Sequence, residues 1–262
     1  MSIDHHAVID LARVAGAAIM RIYAEDFLVE HKDDRSPLTA ADMASHRLIV
    51  DGLTQLTPDL PVLSEESASV PWSERQRWTR YWLVDPLDGT REFVKKNGEF
   101  TVNIALIENG AATFGVVFAP ALDELHFGLR GVGAFVRDGA SDVPIMSRRP
   151  ALQPLRVAAS RSHMDPRTAA ALARMGEAQT QGLGSSLKFC RIAEGRIDVY
   201  PRFGPTSEWD TAAAQCVLEA AGGVVLTLDG QPLRYNHKES LLNPDFIALG
   251  DVDLSWRDWL DG

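Results

Sequence analysis

Two carboxylates follow a continuous apolar stretch in the segment Trp82-Leu-Val-Asp-Pro-Leu-Asp-Gly-Thr90, at Asp85 and Asp88. The apolar run predicts a buried strand, and Pro86 and Gly89 are typical of a turn at its end. Carboxylates gathered at the end of a buried strand are costly unless cations neutralise them. The pattern therefore indicates either an ordinary Asp-Pro-x-Asp-Gly turn or a site for a hard cation such as Mg²⁺.

Further acidic residues favour the cation site. Glu65 and Glu66 end a second apolar run, and Asp210 begins a predicted helix. Taken singly, the glutamates are typical of a solvated pair, and the helix dipole favours an acid at Asp210. Together with Asp85 and Asp88, they predict a Mg²⁺ centre that also holds a phosphate, because such centres are built from oxygen ligands.

The charge balance of the chain limits its partners. The 262 residues include 26 basic and 36 acidic ones, which gives a formal net charge of −10. Nucleic-acid binding depends on neutralising phosphates with Lys and Arg, so we expect no nucleic-acid partner. A small anionic substrate would also be repelled unless a bound cation supplied local positive charge.

Cysteine spacing and hydropathy indicate a cytoplasmic protein. Cys190 and Cys216 show neither zinc-site nor disulfide-framework spacing, so we expect buried structural thiols. The N-terminus has no leader-like pattern, and no stretch approaches the roughly 20 apolar residues that span a bilayer. We therefore expect no transmembrane segment; loose association with the inner face of the cell membrane stays open, as does a homodimer.

The first half of the chain predicts two helices on a mainly antiparallel sheet. Apolar residues recur every three or four positions in residues 8–22, and a second helix is expected at residues 39–56. Asn109-Gly110 is a strong signal for a two-residue hairpin. Short apolar runs predict strands at residues 60–63, 81–84, 101–107, 113–119, 124–129 and 134–137.

The second half alternates strands and helices. Asp165 and Pro166 predict the N-cap and first turn of one helix, and Gly222 follows the end of another. We predict an α/β protein, specifically an α+β layered αβαβα sandwich, with a mixed α/β unit in this half. Residues 1–145 would form a metal-binding catalytic subdomain, and residues 146–262 an α/β subdomain that contributes substrate contacts and one metal ligand.

Two polar groups have both structural and functional interpretations. Thr39 and Asp42 have capping-box spacing, although Asp42 could instead orient a hydroxyl. Ser185 could cap a helix whose N-terminus attracts anions, and Lys188 and Arg202 could hold a second phosphate. Each residue of this second group is, by itself, typical of a protein surface.

The acidic motifs have a family resemblance that covers nearly the whole chain. Asp85-Pro-Leu-Asp-Gly-Thr90, with Ser64-Glu-Glu66 and Trp209-Asp-Thr-Ala-Ala213, resembles the lithium-sensitive, Mg²⁺-dependent phosphatases of the inositol monophosphatase superfamily. Within that superfamily, Gly89-Thr-Arg-Glu-Phe93 and Tyr200-Pro-Arg-Phe-Gly-Pro205 are similar to bacterial 3′(2′),5′-bisphosphate nucleotidases, as are residues 97–105, 160–163 and 184–190. Inositol phosphatases more often have Asn where this chain has Glu92.

The resemblance implies a role for each matching residue. The ligands of two or three Mg²⁺ ions would be Glu65, Asp85, the Leu87 carbonyl, Asp88 and Asp210. Asp42 and Thr90 would orient and deprotonate the attacking water. Substrate contacts would come from Gly89 and Thr90 at the scissile phosphate, from His163, Ser185, Lys188 and Arg202 at the nucleotide, and from the neighbouring ligands Glu65, Leu87, Asp88 and Asp210.

The implied reaction removes the 3′-phosphate of adenosine 3′,5′-bisphosphate to give AMP and phosphate. The phosphosulfate analogue is a second expected substrate, which places the enzyme in sulfur assimilation. One alternative is an inositol- or sugar-phosphate phosphatase with the same metal core. Another is a non-catalytic nucleotide- or metal-sensing module, although the presence of every expected ligand argues against it.

Overall fold

The structure is a computed structural model that describes residues 3–25, 37–160 and 165–260. Its helices are α1 (His5–Tyr23), α2 (Pro37–Leu56), α3 (Trp72–Arg75), α4 (Thr90–Val94), α5 (Pro166–Arg174), α6 (Leu187–Ala193) and α7 (Glu208–Ala220). Its strands are β1 (Val62–Ser64), β2 (Arg80–Asp88), β3 (Thr101–Glu108), β4 (Ala111–Ala119), β5 (Glu124–Leu129), β6 (Gly133–Asp138), β7 (Ser141–Ile145), β8 (Leu155–Ser160), β9 (Ala178–Leu183), β10 (Val199–Arg202), β11 (Val224–Thr227) and β12 (Phe246–Leu249). Short 3₁₀ helices span Glu65–Ser67 and Trp256–Trp259.

The first sheet follows chain order from β1 to β7. β1 and β2 are parallel, and every later neighbour is antiparallel. Between β3 and β4, Asn109 and Gly110 have φ values of 51° and 75°. A tight hairpin turn of this hand needs positive φ at both central residues, which Asn and Gly tolerate better than other residues. The predicted hairpin is therefore confirmed.

Helices α1 and α2 cover one face of the first sheet. Val8, Ile19 and Leu53 are completely buried in the same apolar cluster as Trp82 of β2. The Trp82 indole N–H also donates to the hydroxyl of Thr57, just after α2, at 2.8 Å. Burial of one apolar stripe on each helix is the contact that the sequence periodicity predicts.

Helix α7 lies against the opposite face of the first sheet at very short range. A Cβ atom at Gly115 would lie 2.3 Å from the carbonyl oxygen of Ala213, and one at Gly128 would lie 2.7 Å from Cα of Val217. Glycines in β4 and β5 therefore allow the helix backbone to rest directly on the sheet. This contact fixes the position of Asp210, which lies in the first turn of α7.

The second sheet completes the layers. Its order is β11-β12-β10-β8-β9, with β8 parallel to both β9 and β10. A single apolar cluster joins α6 and α7 to residues of both sheets, whereas α5 and the Trp256–Trp259 turn pack on the outer face of the second. The predicted αβαβα sandwich is confirmed. Strands β7 and β9 were not expected from the sequence.

The chain passes from the first sheet to the second between Ile145 and Leu155. This crossing lies near residue 145, but α7 comes from the second half and packs on the first sheet. The assignment of separate roles to residues 1–145 and 146–262 stays a prediction.

Two local predictions are wrong. The segment from Asp85 to Asp88 is not a terminal turn, because β2 continues through Asp88 with a register shift between these two residues. Thr39 does not begin a helix, because α2 already starts at Pro37. Asp42 therefore lies inside the helix, where it cannot complete the predicted capping box. By contrast, Asp165 caps α5 as expected, accepting the Arg167 amide at 2.7 Å.

Candidate active site

Parallel pairing of β1 and β2 brings the acidic motifs together. Ser64 and Val84 are the last register partners of β1 and β2. The next residues, Glu65 and Asp85, therefore lie side by side where this pairing ends. An interaction between their carboxyl groups partly offsets the rise in the pKa of Glu65. The sheet therefore joins two motifs that are about twenty residues apart in sequence.

Asp85 is the most deeply buried carboxyl of this group, with 1% of its surface exposed. Burial is the largest cause that raises its pKa well above the usual value, followed by the charges of Asp88, Glu65 and Asp210. One of its oxygens, Oδ1, accepts the amide N–H of Leu87 at 3.0 Å. That bond holds the strand irregularity in which Leu87 and Asp88 lie.

The neighbouring acids Glu65 and Asp210 also have raised pKa values. Burial, then Asp88, raises the pKa of Glu65 to about 7, although part of the Glu65 side chain faces solvent. The same two causes raise the pKa of Asp210 to about 7. Because each carboxylate destabilises the charge on the others, the cluster is a favourable place for a cation.

Asp42 faces this cluster from helix α2. Burial raises its pKa to about 8, with additional contributions from Glu66 and Glu65, and its Oδ1 is buried without a hydrogen-bond partner. An unpartnered buried oxygen is costly unless another group or an ion satisfies it. Nearby, the Ser45 hydroxyl donates to the Pro86 carbonyl at 2.8 Å, which ties α2 to the end of β2.

The donor set fits a divalent cation. It combines mutually repelling carboxylates with an unsatisfied buried oxygen, and oxygen ligands are the ones that Mg²⁺ prefers. Within residues 3–25, 37–160 and 165–260, no three acidic, His or Cys side chains are already arranged to hold an ion.

Protein hydrogen bonds orient two of these carboxylates. Asp88 Oδ2 receives the amide N–H of Ser186 at 2.7 Å and lies 2.9 Å from the Ser186 hydroxyl. Asp210 Oδ2 accepts the amide of Ser207 at 2.8 Å. In each case these contacts use one oxygen and leave the second for another ligand.

Gly89 and Thr90 connect the acidic cluster to α4. Gly89 has φ 89°, and a Cβ there would lie 3.1 Å from the Glu99 carbonyl oxygen. A side chain at this position would therefore be strained in conformation and crowded by its neighbours. Thr90 follows as the first residue of α4 and is exposed, but it is not among the residues that line the cavity beside the cluster.

A cavity of about 620 Å³ opens beside the cluster. Its wall joins the two halves of the chain, because Asp88 and Gly89 come from the first half and Lys188, Arg202 and Asp210 from the second. Ser185, Tyr200 and Glu92 also border it, and the volume falls within the usual range for small-molecule sites.

Lys188 gives this cavity a buried cation. Its ammonium donates to the carbonyl oxygen of Ser185 at 2.6 Å and to that of Leu183 at 3.3 Å. Burial lowers its pKa to about 8, against the opposing effect of Asp88. The side chain remains mainly protonated at neutral pH and can attract an anion.

Of the other predicted substrate contacts, Arg202 and Ser185 line the cavity. Arg202 lines the cavity and donates to the Pro205 carbonyl at 3.0 Å, whereas its Nε is buried without a hydrogen-bond partner. Ser185 also lines the cavity, with φ 40°. Its hydroxyl lies 3.5 Å from the Leu187 amide, but Ser186 occupies the N-cap position of α6, so the predicted cap at Ser185 is wrong. His163 lies outside the described residues.

Several residues that build the site were not predicted from the sequence. Ser186 and Asn103 contact Asp88, Ser45 fixes Pro86, and Tyr200 lies beneath the Lys188 ammonium. Ser186, Tyr200 and Asn103 fall within segments already singled out by the family resemblance. Ser45 carries no distinguishing local pattern, because its role depends on helix packing.

Comparison with known proteins identifies the family. The inositol monophosphatase family pattern matches residues 4–252. The chain belongs to the inositol monophosphatase family. Membership of this family, which the acidic motifs predict, is thereby confirmed.

Among its relatives is the 3′(2′),5′-bisphosphate nucleotidase CysQ of Escherichia coli K12, 51% identical over 91% of this chain and 96% of the relative. The solved structure of CysQ from Bacteroides thetaiotaomicron superposes with a TM-score of 0.85 at 41% identity, covering 93% of this chain and 96% of that one. An inositol monophosphatase from Anabaena has the same fold, with a TM-score of 0.77 at 25% identity and coverage of 97% and 92%.

Proposed function

We propose that this family member is a Mg²⁺-dependent 3′(2′),5′-bisphosphate nucleotidase that converts adenosine 3′,5′-bisphosphate to AMP and phosphate. The observation that carries the proposal is the cavity wall, where Asp88 and Asp210 lie on the same surface as Lys188 and Arg202. One end can hold the scissile phosphate through a cation, and the other offers positive charge to a second phosphate. The nucleotidases at 51% identity support the same activity.

The cation would be held by Glu65, Asp85, Asp88, Asp210 and the Leu87 carbonyl. When bound, Mg²⁺ would neutralise phosphate charge and increase the acidity of a water. These side chains would also border the substrate. Gly89 and Thr90, which directly follow Asp88, would hold the scissile phosphate through backbone amides and a hydroxyl.

Asp42 and Thr90 would orient and deprotonate the attacking water. Burial, followed by the charges of Glu66 and Glu65, raises the pKa of Asp42 to about 8, so its carboxylate has a higher proton affinity than an ordinary aspartate. Its unpartnered Oδ1 leaves an acceptor site for that proton.

The second phosphate gives the substrate its identity in this proposal. Lys188 and Arg202 would bind the 5′-phosphate, with Ser185 and His163 completing the nucleotide contacts. An inositol monophosphate would lack a group at this end. The buried Lys188 ammonium therefore favours a bisphosphate over a simple monoester.

Phosphate release from a panel of esters tests the proposal. We expect adenosine 3′,5′-bisphosphate to be hydrolysed with a higher kcat/KM than inositol monophosphate, fructose bisphosphate or histidinol phosphate, and only when Mg²⁺ is present. Preference for inositol or a sugar phosphate would favour the alternative phosphatase. Nucleotide binding without hydrolysis in Mg²⁺ would favour a sensing module.

Other parts of the proposal extend beyond this reaction. We also propose that the phosphosulfate analogue is a second substrate, that the enzyme acts in sulfur assimilation, and that Li⁺ inhibits it. A cytoplasmic location, loose association with the membrane and a homodimer stay predictions. No helix among the described residues is long and apolar enough to cross a bilayer.

A further inference from the structure

Ser186 lies immediately before α6 and directs two hydrogen-bond donors at one carboxylate. Only 1% of its surface is exposed. Its amide N–H donates to Asp88 Oδ2 at 2.7 Å, and its hydroxyl oxygen lies 2.9 Å from the same atom. Both contacts use Oδ2, so they fix the rotation of the carboxylate while leaving Oδ1 for a ligand.

Two residues of strand β3 also contact the Ser186 and Asp88 side chains. The Ser186 hydroxyl lies 2.8 Å from Asn103 Oδ1 and 3.0 Å from Thr101 Oγ1, and Asn103 Nδ2 lies 3.4 Å from Asp88 Oδ2. A serine hydroxyl has one proton to donate. Asp88 Oδ2 and Asn103 Oδ1 compete for it, and the charged acceptor is favoured, so we assign the proton to Asp88; Thr101 can then donate to the Ser186 oxygen.

The preceding loop explains why Ser186 can point in this direction. A Cβ at Gly184 would lie 2.5 Å from Glu92 Cγ, and the Gly184 amide donates to Glu99 Oε2 at 2.7 Å. Ser185 then adopts a positive φ of 40°. The loop is thus packed against α4 and the segment after it, and the Ser186 amide that follows points at Asp88.

We propose that Ser186 is a positioning residue that sets the cation affinity of the site through Asp88. The inference rests on the proposed function, because it takes Asp88 as a cation ligand. It adds that α6 serves both ends of the cavity, since Lys188 lies in the first turn of the same helix. Groups that orient metal ligands commonly change metal affinity by about 10–100-fold when they are removed.

Calorimetric titration with Mg²⁺ in the absence of substrate tests this role without depending on turnover. The variants are Ser186→Ala, which deletes the hydroxyl, and Ser186→Cys, which keeps a similar volume but donates weakly. Ser147→Ala is the matched control. Ser147 is also buried and donates its hydroxyl to a backbone carbonyl, that of Gly250, at 2.8 Å.

We expect Ser186→Ala to bind Mg²⁺ at least about tenfold more weakly than wild type, with a smaller loss for Ser186→Cys. High Mg²⁺ should restore most of the turnover of both variants, because the ligand itself remains. Ser147→Ala should bind Mg²⁺ like wild type, even if its thermal unfolding temperature falls. If Ser186→Ala does not fold, Ser186→Cys carries the comparison.

Unchanged Mg²⁺ affinity in the Ser186 variants would overturn the inference, as would an equal loss in Ser147→Ala. Neither result would affect the proposed function if wild type binds Mg²⁺ and hydrolyses the bisphosphate. A wild-type protein that neither binds Mg²⁺ nor releases phosphate would instead refute the proposed function, and this inference with it.

Discussion

The ammonium nitrogen of Lys188 lies 5.3 Å from the ring centre of Tyr200, within the range of a cation–π contact. Tyr200 is itself buried, so the ring forms a rigid floor under the charge. The same ammonium donates to the Ser185 carbonyl. Lys188 is therefore held in place on the cavity wall before any anion binds, which reduces the ordering cost of binding.

Replacing Lys188 should separate two kinds of substrate. We expect Lys188→Met to raise the KM for adenosine 3′,5′-bisphosphate by about tenfold or more, because a charge-assisted contact to the second phosphate is lost. The KM for a phosphate monoester without a second phosphate should change far less. Initial rates of phosphate release on both substrates measure the difference.

Lys238→Met is the matched control for this prediction. Lys238 is exposed and does not line the cavity, so the substitution removes the same charge from another part of the protein. It should leave both KM values near those of wild type. Equal losses on the two substrates in Lys188→Met would contradict its role as a contact for the 5′-phosphate.

Asp88→Asn should remove an anionic cation ligand while preserving the shape of the side chain. We expect turnover to fall by several orders of magnitude, on the scale of other losses of transition-state stabilisation by charge. The fold should persist, and circular dichroism would verify this. Near-wild-type phosphate release would refute the assignment of Asp88 as a ligand.

Asp42→Asn should lower turnover without weakening Mg²⁺ binding. If Asp42 accepts the proton of the attacking water, turnover should fall by about a hundredfold or more while Mg²⁺ affinity stays near the wild-type value. Kinetics at saturating Mg²⁺, combined with calorimetric titration of the cation, separates the two effects. A large loss of Mg²⁺ affinity would make Asp42 a ligand instead.

Features with a local cause could be predicted from the sequence. The apolar period of α1 and the Asn109-Gly110 hairpin depend on residues close together in the chain, and both are observed. Local chemistry also explains why the N-cap at Asp165 was predicted correctly. The αβαβα layering follows because amphipathic helices and sheets must bury their apolar faces.

Features that depend on tertiary contacts could not be predicted in this way. The parallel edge strand β9 has an exposed, polar central segment that gives no strand signal. The continuation of β2 through Asp88 depends on pairing with Thr101, which overrides the turn signal of Pro86 and Gly89. The contact of Ser186 with Asp88 joins residues far apart in sequence, so no local spacing reveals it.

A charged pair away from the active site predicts how stability depends on pH. His126 and Glu194 lie 2.6 Å apart between β5 and α6. Burial opposes the charge on His126, but Cys190 and Glu194 outweigh it and raise its pKa to about 10. For Glu194, burial is outweighed by His126 and Arg191, and the pKa falls to about 2.

The sign of each shift gives the pH range in which the pair stabilises the fold. The His126 contribution is complete below its ordinary pKa of 6.5 and is lost as pH rises through about 10. The Glu194 contribution is complete above 4.5 and is lost as pH falls through about 2. Both contributions are therefore complete between pH 4.5 and 6.5.

We expect His126→Gln to lower the free energy of unfolding by about 3 kcal/mol near pH 6, because it breaks a buried charged pair. The difference from wild type should shrink as the pH approaches 10. Urea denaturation of both proteins across this range measures it. His6→Gln, which changes an exposed histidine, is the control; a constant difference for His126→Gln would contradict the charged pair.

The identity of the product shows which phosphate of the nucleotide the protein removes. Wild-type protein is incubated with adenosine 3′,5′-bisphosphate and Mg²⁺, and the remaining phosphate is assigned by ³¹P NMR, with Asp88→Asn as the inactive control. We expect adenosine 5′-monophosphate and inorganic phosphate to accumulate together in equal amounts, and only with wild type and Mg²⁺. Accumulation of adenosine 3′-monophosphate, or no phosphate release, would contradict it.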